Sequence, residues 1–102
     1  MMANKALLTW NIRPGGEREH FQRIRAFVNK LADLGLDLAD AWYTIYGDAP
    51  QILLGIVVPR DSKVALEEVL ASQEWQAILE ELKQYITDYN QRIVKVQGQF
   101  QF

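Results

Sequence analysis

The sequence predicts an α+β domain of the ferredoxin-like βαββαβ type, one four-stranded antiparallel sheet with two helices on one face. Three observations predict it. Leu38 to Val58 holds two apolar, alternating runs joined at Gly47-Asp48-Ala49-Pro50. Two stretches with helical spacing, one before that hairpin and one after it, carry apolar stripes. Short apolar runs, KALLTWNI and YNQRIVKV, stand at the outer flanks.

The first run, Lys5 to Ile12, stops at Arg13-Pro14-Gly15-Gly16 and reads as a strand followed by a turn. Ala6, Leu8, Trp10 and Ile12 share one parity and Leu7, Thr9 and Asn11 the other, and the more apolar set is expected under the helices. Glu17 to Leu34 reads as a helix with Phe21, Ile24, Val28 and Leu31 on its apolar stripe, widened by Phe27 and Leu34. Glu17 and Glu19 suit its first turn, Glu19 and Arg23 are spaced for an i,i+4 pair, and Gly35 ends it.

In the hairpin, placing Tyr46 opposite Gln51 brings Ile45 to Ile52, Tyr43 to Leu54 and Trp42 to Gly55. One face then holds Ala41, Tyr43, Ile45, Ile52, Leu54, Ile56 and Val58. The other holds Asp40, Trp42, Thr44, Tyr46, Gln51, Leu53, Gly55 and Val57, with Trp42 lying across the bare Gly55. That second face is half apolar, as a subunit interface or a ligand wall is. Beyond it, Pro59 to Ser62 breaks the strand and offers Asp61 or Ser62 as a cap. Leu66, Val69 and Leu70 mark a short helix, and Ser72 recaps a second one carrying Trp75, Ile78, Leu79, Leu82 and Ile86. Tyr89 to Val96 is the last strand, with Lys95 and Arg92 near its end free to pair with Asp40, to flank a pocket or to stay on the surface. In the tail after it, Phe100 and Phe102 are expected to dock on a partner.

Residues 61 to 88 carry seven acidic and two basic side chains, whereas Arg18, Arg23, Arg25 and Lys30 decorate the first helix, so the two helices should attract each other. The 102 residues make a single domain, and 49% hydrophobic with 24% charged residues is ordinary globular composition. A net charge of −2 argues against a nucleic-acid partner. No run approaches the roughly 20 apolar residues of a membrane span, so no membrane is expected either. Without cysteine there are no disulfides or thiolate sites, which fits a cytoplasmic protein.

His20 is the only histidine, so a conventional metal site is not expected. Helical steps put it in line with Ile24, Phe27 and Leu31, where it serves either as a general base at the cleft edge or as a first-turn surface residue. Trp10, Tyr43 and Trp75 either line a slot for a flat aromatic ligand or pack as core. In the slot, Asn11 or Arg13 at the strand end would fix a carbonyl or phenolate. Glu67-Glu68 and Glu80-Glu81 splay on their helices and read as solvated faces. Gly15-Gly16 lacks the spacing of a phosphate loop and reads as a turn.

The 102-residue length, the LLTWNI strand, the helix PGGEREHFQRIRAFVNKLADLG, the Tyr-Gly-Asp-Ala-Pro turn and the helix SQEWQAILEELKQY together carry a family likeness. On them the chain resembles the antibiotic-biosynthesis-monooxygenase-like group of the dimeric α/β barrel superfamily. The resemblance implies a homodimer in which two sheets pack face to face, with Trp42, Thr44, Tyr46 and Val57, and then Phe100 and Phe102, at the interface. It also implies a small-molecule enzyme or binder that uses no bound cofactor and takes an aromatic or quinone-like compound; the catalytic candidates among these residues are His20 and Asn11. The alternative is a non-catalytic dimeric ligand-binding or stress-associated module. Haem-degrading members carry an Asn on the first strand, a Trp on the third and a His on the second helix. Asn11 matches the first, but Gln51 to Val58 has no Trp and residues 61 to 88 have no His.

Overall fold

A computed structural model describes residues 2–59 and 62–97. The elements run β1 (Met2–Ile12), α1 (Glu17–Asp33), β2 (Asp37–Tyr43), β3 (Ile52–Val57), α2 (Leu66–Leu70), α3 (Gln73–Lys83) and β4 (Ile86–Gln97). All strand pairs are antiparallel in the order β2-β3-β1-β4, the ferredoxin-like arrangement. Along its thinnest axis the molecule spans only 17 Å, room for one helical layer on one sheet. Among the described residues no helix is long and apolar enough to cross a membrane.

Alternation decides the core. Ala6, Leu8, Trp10 and Ile12 of β1 and Ile52, Leu54 and Ile56 of β3 are buried against Phe27, Leu31, Trp75, Leu79 and Leu82 of the helices. On α1 the buried residues are His20, Phe27 and Leu31, while Phe21 is 38% exposed and Ile24 and Val28 are half-buried. The buried stripe is therefore turned away from Phe21, because β2 does not close against that flank of the helix. Gly35 takes φ +76, so the helix ends in the left-handed turn expected of it.

The hairpin departs from its expected register by two residues. Tyr43 faces Ile52, Trp42 faces Leu53 and Asp40 faces Gly55. A two-residue slip preserves the faces from Asp40 to Tyr43 but moves Ile45 and Tyr46 out of the sheet, into a loop where they are 90% and 95% exposed. Gln51 explains the slip. Its backbone N–H donates to Asn11 Oδ1 (3.0 Å) and its side-chain Oε1 accepts from the Ile12 N–H (2.6 Å). Thr44 closes the loop instead of Tyr46, with its N–H donating to Gln51 O (2.8 Å) and its hydroxyl to Pro50 O (2.8 Å). Asp40, and not Trp42, then lies over Gly55; a Cβ built at Gly55 would stand 2.6 Å from Asp40 Oδ2.

Two bulges set which side chains reach the helices. In β4 the register shifts between Thr9 and Asn11, with Asp88 in the left-handed region at φ 56. The extra residue lets both Ile86 and Tyr89, three apart, face the helical layer, where a regular strand would turn one of them outward. In β2 the shift between Leu38 and Asp40 does the same for Leu38 and Ala41. The last strand accordingly starts at Ile86, and that residue leaves the helical stripe assigned to it.

The helical break near Ser72 is present, with Ser72 Oγ accepting from the Trp75 N–H (3.2 Å). The preceding cap differs: α2 starts from Ala65 without a side-chain cap, Ser62 Oγ accepts from the Val64 N–H instead, and Asp61 lies outside the described residues. Lys30 Nζ pairs with Glu81 Oε2 (3.1 Å), the expected attraction between helices. Arg23 sits over the Tyr85 ring (5.5 Å) and makes no pair with Glu19 among the described residues. Lys95 and Arg92 do not reach Asp40, because β4 and β2 are opposite edges of the sheet; Lys5 takes that carboxylate at 2.6 Å.

Candidate functional site

The first turn of α1 lies against β1, which turns His20 inward. Its side chain is fully buried, and Trp10 Nε1–H donates to His20 Nε2 at 2.9 Å. An Nε2 that accepts leaves the proton of the neutral ring on Nδ1. That Nδ1 finds no partner among the described residues, and burial lowers the imidazole's pKa from its ordinary value. Phe21 packs edge-on at 4.7 Å. His20 is thus neither a surface residue nor an available base: its acceptor atom is spent on Trp10 within the core.

The expected aromatic slot is filled. Trp10 stacks on Tyr89 (6.2 Å, 21°) and meets Phe27 edge-on (6.3 Å), while Phe27 in turn meets Trp75 at 5.7 Å. Trp10 and Trp75 are both completely buried, so they form core and not a ligand wall. Burial also pushes the Tyr89 hydroxyl pKa up, and that hydroxyl donates to Gln91 Oε1 (2.8 Å).

Asn11 has the opposite parity to Trp10 and stands on the far side of the sheet. It ties the hairpin loop through Gln51, and its Nδ2 donates to Asp88 Oδ2 (3.0 Å) at the β4 bulge. Arg13 donates from Nε to Gln84 O (3.1 Å) and from Nη2 to Ile86 O (3.4 Å), satisfying carbonyls where α3 ends. Among the residues expected to act together, only His20 and Trp10 touch. Asn11 is separated from them by the sheet, and Arg13 and Trp75 serve packing and capping.

An open cavity lies elsewhere among the described residues, between α1 and the edge strand β2. A groove of about 300 Å³ is lined by Ile24, Arg25, Val28, Asn29, Leu38 and Ala41 over Leu54. It adjoins a second pocket, of about 180 Å³, that shares Ile24, Ala41 and Leu54 and adds Phe21, Trp42, Tyr43 and Ile52. Tyr43 is half exposed and leans on Phe21 (5.5 Å), forming an aromatic mouth. Tyr43 is the member of the expected ligand set that reaches this groove. Arg25, Val28 and Ala41 were not singled out as site residues. Two signals point to them: an α1 stripe wider than one line of contact, and a small Ala41 on the strand opposite it.

The uncovered side of the sheet presents Leu7, Leu53, Val57 and a Trp42 that is 69% exposed, around the Lys5–Asp40 pair that bridges Gly55. Val57 and Trp42 therefore share the face expected of them. Thr44 and Tyr46 lie in the loop beside it, and Phe100 and Phe102 fall outside the described residues.

Neither a scan against protein-family models nor a search of curated proteins found a match. Solved structures do match. An uncharacterized NIPSNAP domain protein from Burkholderia xenovorans is similar at 16% identity and a TM-score of 0.62, over 95% of this chain and 96% of that one. A NIPSNAP family protein from Agrobacterium tumefaciens is similar at 20% identity and a TM-score of 0.59, over 95% and 87%. A protein described as an antibiotic biosynthesis monooxygenase is similar at 14% identity and a TM-score of 0.56, over 93% and 97%. The chain shares their ferredoxin-like α+β fold. The structural likeness thus agrees with the sequence reading at the level of the fold, a ferredoxin-like α+β sheet with helices on one face.

Proposed function

We propose that this protein is a homodimeric binder of a compact apolar or aromatic small molecule, held in the groove between α1 and β2. The groove itself carries the reading. It is open and its floor is apolar, with a volume at the lower end of small-molecule sites and an aromatic mouth at Phe21 and Tyr43. Neither a carboxylate nor an imidazole lines it, and the one histidine is engaged in the core. That supports binding over acid–base catalysis.

Dimerisation through the uncovered sheet face is part of the same reading, supported by the single helical layer and by Trp42 amid Leu7, Leu53 and Val57. The second reading, cofactor-independent oxygenation of a hydroquinone-like substrate, is favoured by the aromatic mouth and by the name of one structural neighbour.

A panel of naphthols, quinones and hydroquinones, titrated into the protein by calorimetry, tests both. Binding that returns the compound unchanged, and that Ala41→Phe abolishes by filling the groove, is the expected result. Oxygen consumption with a hydroquinone would favour the second reading. No binding by any member would sink both.

A further inference from the structure

We propose that the groove is built for an acid: an apolar body carrying a carboxylate that Arg25 reads from the rim. The inference rests on the groove being the binding site. Ile24 and Val28 form the α1 side of its floor, and Arg25 and Asn29, one residue further along at the same i,i+4 spacing, form a polar lip beside them. No aspartate or glutamate lines either pocket, so among the lining residues an anion meets one cation and no carboxylate.

Other cations near the core are already engaged. Lys5 holds Asp40, Lys30 holds Glu81, Arg13 holds the Gln84 and Ile86 carbonyls, and Arg23 covers Tyr85. Arg25 makes no hydrogen bond or ion pair among the described residues, yet it stands beside an apolar cavity of about 300 Å³. Its guanidinium is a planar fork matched to a carboxylate, and Asn29 adds an amide donor one turn away. A ligand with its ring over Leu54 and Ala41 and its carboxylate at the lip would satisfy both halves of the wall.

The test uses 2-naphthoic acid and its neutral isostere 2-naphthamide, titrated by calorimetry into the full-length protein at pH 7.5. The acid should bind about fivefold more tightly than the amide, the upper end of what a solvent-exposed ion pair contributes. Arg25→Gln should erase that preference by weakening the acid more than the amide, Arg25→Lys should keep part of it, and 0.5 M salt should weaken the acid alone. Equal binding of acid and amide, or a preference that survives Arg25→Gln, overturns the assignment and leaves the groove reading intact. Failure of both compounds overturns the two together. A second copy could instead fill the groove. Ala41→Cys, the only thiol in the variant, would then resist maleimide in the native assembly, and that outcome overturns the proposal as well.

Discussion

The two faces of the sheet are made from the same strands and differ in almost everything else. On the helical face Ala6, Leu8, Trp10, Leu54 and Ile56 are at most 2% exposed, and two of the buried polar rings there, Trp10 and His20, hydrogen-bond to each other. On the reverse, Lys5, Leu7, Thr9 and Asn11 are half-buried and Trp42 is largely exposed. The first face buries its apolar side chains within one chain. The second holds more apolar surface than solvation requires, around a charge pair whose ends neutralise each other. Such a surface tolerates water and also tolerates being covered.

Truncation separates the faces most strongly. Trp10→Ala should lower the unfolding free energy by about 3–5 kcal/mol, the range for emptying a large aromatic from a packed core, at every protein concentration in urea titrations. Leu7→Ala should cost about 1 kcal/mol in dilute solution and progressively more as concentration rises, because a partner that covers the face adds stability by mass action. Equal, concentration-independent losses at the two positions would erase the distinction.

Trp42→Asp attacks the reverse face directly. Light scattering should show the parent as a dimer and the variant as a folded monomer, since the substitution puts an unpaired charge into a desolvated contact. A variant that stays dimeric removes Trp42 from the interface. Gly55→Ala probes the same face more gently. Its new methyl would meet Asp40 Oδ2, Cβ and Cγ at 2.6, 3.1 and 3.2 Å, so it should displace the carboxylate from Lys5 and cost about 1 kcal/mol. With Asp40→Ala already in place the obstacle is gone, and most of that loss should disappear. A loss unchanged by Asp40→Ala would mean that strand propensity, and not the close approach, keeps glycine there.

The fold was legible because it rests on periodicity. The alternation of Ala6, Leu8, Trp10 and Ile12 and the Ser72 recap are local signals that survive in the structure, and the helical stripes survive without Phe21 and Ile86. What could not be read was fixed by partners far along the chain. Asn11 and Ile12 capture Gln51 and so set the hairpin two residues from the pairing that symmetry of the apolar run favours. The bulges at Asp88 and Ala39 let residues three apart share a face, which no strict alternation reveals. The site was hardest to see. Asn11 and His20 look like neighbours in the chain, but Asn11 takes the parity opposite to Trp10 and so the other side of the sheet, while Trp10 claims the imidazole. The groove, in turn, arises from a gap between α1 and an edge strand, and a gap has no sequence motif.

The smallest expected effect tests how completely the helical face is closed. His20 is neutral in the fold, with its pKa lowered by burial, whereas in the unfolded chain it titrates near the ordinary 6.5. Between these values the unfolded chain binds a proton that the folded chain refuses, so stability falls as pH drops through 6.5 and levels off below the folded value. Above 6.5 the residue contributes no pH dependence. His20→Gln keeps an acceptor for Trp10 Nε1–H but cannot titrate. The melting temperature lost between pH 7.5 and pH 5.5 should therefore be larger in the parent than in the variant, after the carboxylate contribution common to both is subtracted. Superimposable profiles would mean that water reaches the imidazole and that the folded ring takes up a proton as readily as the unfolded one, giving up its bond from Trp10 without cost. The helical face would then be as permeable as the reverse face, and the contrast between them would lose its strongest support.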